Sequence, residues 1–130
     1  MYEQFFKYKE EVEKDLKFDA SSIDEFSIKL PSRKHFWVGR LIEAKIKLKK
    51  LENTKAEAIK TVQEKVKTSV GLSQASYTKI INEQEPIKKI DEQIEEWKII
   101  VEYLEKVEKV FSQTSYDIKN SVELMKMEIV

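Results

Sequence analysis

From Pro86 onward, apolar residues recur every three or four positions for about forty residues, with no further glycine or proline. The stripe reads Ile87, Ile90, Ile94, Trp97, Val101, Leu104, Val107, Phe111, Ile118, Val122, Met125 and Ile129, with Ser115 as its one polar member. Steps of three and four keep side chains on one side of a helix, because each residue turns the chain by about 100°. Proline suits the first turn of such a helix, where its absent amide proton has no partner to lose. The spacing therefore predicts a rod about 60 Å long, at ~1.5 Å per residue. A rod of that length must lay its apolar face against other helices, from this chain or from further copies of it.

Composition agrees. Charged residues make up 37% of the chain, with only two glycines and two prolines, a profile of long helices rather than of hairpins or Gly-rich nucleotide loops. The expected fold class is all-α: short N-terminal helices, a long basic central helix, and a long C-terminal helix with heptad-like packing, assembling through its C-terminal region. At 130 residues the chain is read as a single helical unit. Residues 1–70 hold the N-terminal helices including the basic one, 71–85 are the connector, and 86–130 form the C-terminal oligomerisation helix.

The N-terminal part divides further. Tyr2, Phe5, Val12 and Leu16 suggest a first helix over roughly 2–16. Asp19 or Ser22 is placed to cap a second short helix, and Ser22 with Glu25 fits a capping box. Ile23, Phe26 and Leu30 line its face. Pro31 is expected to end it, since proline lacks an amide proton and disfavours helical geometry at Leu30. A long helix then starts at Pro31 or Ser32 and runs to about Ser69, with the stripe Trp37, Leu41, Ala44, Leu48, Leu51, Ala58, Val62 and Val66, which Lys55 interrupts. Gly39 lies within it and is read as room for another helix to approach Trp37. Gly71 is suited to end it, and Tyr77, Ile80 and Ile81 to form a short turn that packs back.

Charge is sorted along the chain. Residues 29–67 carry twelve basic and four acidic groups, a net of +8. Residues 82–108 carry nine acids and four lysines, and residues 1–28 eight acids and four lysines, nets of −5 and −4. The central helix is thus an electropositive segment suited to a polyanion. Lys45, Lys49 and Lys60 project within about 60° of one another, with Lys67 nearby and Lys50 beside the stripe. Lysine supplies a point charge rather than a planar fork, which favours phosphate attraction over base reading. Phe36 and Trp37, beside Arg33, Lys34 and Arg40, are candidates for stacking on unpaired bases, although Trp37 also begins the core stripe. An alternative use of the same lysines is a coiled-coil adaptor, in which the basic helix pairs with Glu92, Glu95, Glu96 and their neighbours.

Chemistry-bearing motifs are few. There is no Walker loop, GxSxG or HExxH, and no cysteine, so neither an enzyme nor a Cys-ligated metal site is expected. No cofactor and no metal are expected. His35 is read as a surface or partly packed side chain, and Asp91 with Glu95 as a solvated acidic pair. No apolar run reaches the ~18 residues of a membrane span, and no secretory signal is visible. The tail from Val122 to Val130 is rich in apolar residues, and Leu104, Phe111, Ile118, Val122, Met125 and Ile129 are the candidate self-association residues.

The order of features resembles a known family. An acidic first helix leads into DLKFDASSI. The basic helix WVGRLIEAKIKLKKLENTKAEAIK follows, then a polar connector, then DEQIEEWKIIVEYL and a terminal IKNSVELMKMEI. This arrangement is similar to the UvsY-like family of phage recombination mediators, over nearly the whole chain and most closely from Trp97 to Met127. The resemblance implies a small all-helical protein that forms a ring-like homo-oligomer through its C-terminal helices. It implies sequence-independent binding of single-stranded DNA, and contact with a phage recombinase and a single-strand DNA-binding protein. The implied role is to load that recombinase onto strands the binding protein already covers, in the cytoplasm of the infected bacterial host, without catalysis. Lys60 occupies a position that serves DNA binding in the family. Val62 replaces the neighbouring basic residue and the family's aromatic pair near Val66 is missing, with Lys65 and Lys67 standing close by. The candidate DNA-binding set is therefore Lys45, Lys49, Lys50, Lys60, Lys65 and Lys67.

Overall fold

The computed structural model describes residues 1–19, 21–66 and 74–129. They form four helices and no strand: α1 (Glu3–Asp15), α2 (Ile23–Val66), α3 (Gln74–Asn82) and α4 (Glu85–Ile129). The fold class is the expected all-α one. Pro86 sits in the first turn of α4, as its chemistry requires. Lys67, Gly71 and the expected helix end near Ser69 lie outside the described residues, as do the side chains of Val66 and Ile129.

The two long helices form an antiparallel hairpin. Two ion pairs fix the direction: Lys45 meets Glu105 and, further along α2, Lys55 meets Asp91 further back along α4. One continuous core runs between them. It joins Leu30, Trp37, Leu41 and Ala44 of α2 to Ile100, Leu104, Val107, Phe111 and Ile118 of α4, and takes in Val12 of α1. Trp37, Leu104 and Phe111 are essentially fully buried. Burying a large apolar side chain stabilises by about 1.5–3 kcal/mol, so this seam dominates the fold. A second group of buried residues, Leu51, Ile81, Ile87 and Ile94, lies toward the connector end. There α3 contacts both long helices, so Tyr77, Ile80 and Ile81 belong to a helix rather than to a short turn.

Helix α1 lies along the hairpin, parallel to α4. Phe5 packs edge-on against Tyr103 at 5.1 Å, and Tyr8 edge-on against Trp37 at 5.9 Å. Burial raises the phenol pKa of both tyrosines above the ordinary value.

Two local expectations are corrected. Pro31 does not end a helix; α2 passes through it without a break. An interior proline costs a hydrogen bond to the carbonyl four residues back and adds a steric clash. The helix persists because it is held on both sides of the proline, by Leu30 and Trp37 in the core and by the α1 contacts of Arg33. The capping box is also not built. The Ser22 carbonyl accepts the first helical bond from Phe26 N–H, which makes Ser22 the cap residue. Its hydroxyl, however, turns back to accept the Asp19 amide, and Glu25 pairs with Lys29 instead. Asp19 completes the turn by accepting the Ser21 hydroxyl and the Ser21 and Ser22 amides.

Candidate nucleic-acid interface

The basic groups of α2 separate into two populations. Those nearest its start are taken up by α1. Asp15 accepts bonds from Arg33, including one from Nε at 2.8 Å, and from the Trp37 indole N–H at 2.7 Å. Glu11 pairs with Arg40. The guanidinium of Arg40 also lies over Tyr8 and Phe36, and that of Arg33 over Phe36, at 4.3–4.8 Å from the ring centroids. An arginine cluster that reads as a polyanion site in the sequence is therefore the docking site of the acidic first helix. Trp37 is core, and Phe36 is capped by two arginines, so neither is presented for stacking on a base.

The lysines further along are different. Lys45, Lys49, Lys50, Lys60 and Lys65 are all exposed. Lys45 reaches Glu105 at 3.5 Å, with both side chains about half exposed, a contact of small net value in water. Among the described residues no ion pair involves Lys49, Lys50, Lys60 or Lys65. Lys55, the interruption in the apolar stripe, bends toward α4 and meets Asp91 at 2.6 Å. The pairing of basic and acidic helices thus amounts to Lys45 and Lys55 among the described residues, with Glu92, Glu95 and Glu96 outside it. Val62 is half-buried on the core side, which accounts for an apolar residue there.

On the outer side of α2, Ile42 and Ile46 are 53% and 50% exposed, one turn from Lys45 and Lys49. Gly39 precedes them, and a Cβ built on it meets no atom within 4 Å. The expected close approach of a helix at Gly39 does not occur within this chain; the residue faces away from the core. Ile42 and Ile46 fall off the Trp37–Leu41–Ala44–Leu48 stripe, and that mismatch was the signal available in the sequence.

At the far end of α4 the candidate self-association residues also divide. Leu104, Phe111 and Ile118 are buried in the core of a single chain, so a second copy does not meet them in this conformation. Val122 is half-buried against that core, whereas Leu124, Met125 and Met127 are more than half exposed. Among the described residues no group of three or more His, Asp or Glu side chains converges as a metal site. Asp91 is paired with Lys55 rather than with Glu95 around a cation, and His35 is exposed. No helix among the described residues is long and apolar enough to cross a membrane.

These features define an all-helical hairpin with one lysine-bearing outer face and an apolar tail. The chain belongs to the UvsY family, described as recombination, repair and ssDNA-binding proteins, whose model matches residues 11–129. Crystal structures of the bacteriophage T4 recombination mediator protein UvsY share the fold. In one crystal form the TM-score is 0.86 at 15% identity, covering 95% of this chain and 98% of the T4 chain; in another it is 0.81 at 14% identity, covering 95% and 96%. No curated protein matches the sequence significantly.

Proposed function

We propose that this protein is a recombination mediator that binds single-stranded DNA without sequence specificity through the outer face of α2. Several copies, gathered by the exposed end of α4 into a ring-like homo-oligomer, would present that face repeatedly. In the host cytoplasm the assembly promotes loading of a phage recombinase onto strands covered by single-strand DNA-binding protein. The observation that carries this reading is the set of exposed lysines without ion-pair partners among the described residues, Lys49, Lys50, Lys60 and Lys65, on a member of a family described as ssDNA-binding. Lys45, which can exchange Glu105 for a phosphate, and Lys67 complete the proposed set.

Each copy grips phosphates weakly, because an exposed lysine gains little beyond counterion release. Repetition converts those grips into a firm one by raising the effective concentration of each site once the first has bound. The strand is then held in one shape, and a recombinase that prefers that shape displaces a competitor by population shift, with no bond made or broken. The proposed self-association residues are Val122 and Met125, with Leu124 and Met127 beside them and Ile129 as the last of the stripe.

The test is binding of a labelled oligonucleotide over a salt series. Lys49→Ala/Lys60→Ala should weaken binding and flatten the log–log salt slope by about 1.4, from ~0.7 per single-strand phosphate contact. An unchanged slope refutes the assignment. Removal of residues 123–130 should yield a smaller particle by light scattering and weaker DNA binding; an unchanged mass refutes assembly through this end.

A further inference from the structure

Resting on that reading, we propose that Ile42 and Ile46 contact the faces of unpaired bases and make the α2 surface select single-stranded over double-stranded DNA. Lysines alone do not supply that selection, since both forms of DNA offer phosphates. A single strand differs in offering base faces, which a duplex keeps stacked inside. A surface that prefers the single strand needs apolar groups beside its cations.

Aromatic side chains usually fill that role, but those of the basic segment, Phe36 and Trp37, are committed elsewhere. Trp37 is 1% exposed, and Phe36 lies under Arg33 and Arg40. Phe18 is stacked on Phe26 at 4.4 Å, at the other end of the basic segment from Lys60. The apolar groups that do adjoin exposed lysines are Ile42, one turn before Lys45, and Ile46, one turn before Lys49 and Lys50. Ile42 lies three and four residues from Lys45 and Ile46, and Lys49 three and four from Ile46 and Lys45, spacings that put Cβ atoms about 5–6 Å apart. Ile46 points roughly opposite to Trp37 around the helix axis. No helix among the described residues covers this side, and half of each isoleucine is in water. Gly39, one turn before Ile42, leaves bare backbone with open space above it, a shallow step on which a flat base can rest. Charge complementarity identifies the occupant. An apolar patch beside Lys45, Lys49 and Lys50 suits a ligand that is apolar on its faces and anionic along its backbone. Ile28, though 80% exposed on the same side, has Asp24 and Glu25 one turn before it and only Lys29, which pairs with Glu25, beside it, whereas the one acid beside Ile42 and Ile46, Glu43, is outnumbered by Lys45, Lys49 and Lys50.

The experiment compares wild type, Ile42→Ser/Ile46→Ser, Ile42→Val/Ile46→Val and Ile28→Ser on an oligothymidylate and on a duplex of equal length, across a salt series. The serine pair should lose about tenfold in single-strand affinity, the scale of one lost base contact. Its duplex affinity, salt slope, helix content and particle mass should match wild type. The valine pair and Ile28→Ser should bind the single strand as wild type does. Equal loss on both DNA forms, no loss on either, or a serine pair whose particle mass changes without DNA would overturn the proposal; the last result would make this face a contact between copies. A wild-type protein that binds neither form defeats the underlying functional reading, whereas normal wild-type binding with an indifferent serine pair defeats only the role of the isoleucines.

Discussion

Removing the Asp15 carboxylate should weaken the docking of α1 on the hairpin. Asp15 is the last residue of α1, where the helix dipole disfavours a negative charge, so its placement is set by tertiary partners. Its Oδ2 accepts from Arg33 and from the Trp37 indole. In Asp15→Ala the indole N–H remains buried with no acceptor, a cost of about 1–3 kcal/mol. Loss of the charge-assisted bonds to Arg33 adds about 1 kcal/mol, discounted because that side chain is 36% exposed and regains water. The expected total is about 2–4 kcal/mol, or roughly 10 °C in melting temperature for a chain of this size. Asp15→Asn keeps a neutral acceptor for the indole and should lose about half as much. The assay is thermal unfolding followed by far-ultraviolet circular dichroism and tryptophan fluorescence. A double-mutant cycle with Trp37→Phe isolates the indole bond and should return a coupling of about 1 kcal/mol or more. Asp15→Ala within about 0.5 kcal/mol of wild type, or a cycle with no coupling, would show that the α1 dock does not depend on this carboxylate.

Pro31→Ala should stabilise the protein by about 1–3 kcal/mol, since it restores the bond to the Ser27 carbonyl in an already helical segment; an unchanged or lower melting temperature would contradict a continuous α2. The Asp19 pKa is held below its ordinary value by hydrogen bonds from the side chain of Ser21, then from Ser22. A depressed carboxyl pKa stabilises the fold above the unfolded value, and the gain is lost as pH falls through the folded value. Acid should therefore fray the start of α2. The Ser22 amide resonance should titrate below the ordinary aspartate range in wild type and not at all in Asp19→Asn, and a wild-type midpoint at the ordinary value would disprove the turn.

Periodicity determined much of this protein. The stripe from Ile87 to Ile118 fixes α4 as a rod with one covered face, Pro86 marks its start, and Lys45, Lys49, Lys50, Lys60 and Lys65 fall on helix positions that the Trp37–Leu41–Ala44 stripe leaves to solvent. Those are local properties, set by 3.6 residues per turn and by the cost of burying charge. Tertiary structure decided which surface covers each face. Leu104, Phe111 and Ile118 read equally well as contacts between copies, yet Leu30, Trp37 and Leu41 of the same chain share their core. Arg33 and Arg40 read as part of a polyanion site until Glu11 and Asp15, eighteen and more residues away, are brought against them. Pro31 reads as a stop because the compensating anchors, Leu30 in the α4 seam and Arg33 on α1, are not local to it. A stripe states that a face must be covered; the partner that covers it depends on contacts between residues distant in sequence, and these exist only once the chain has folded.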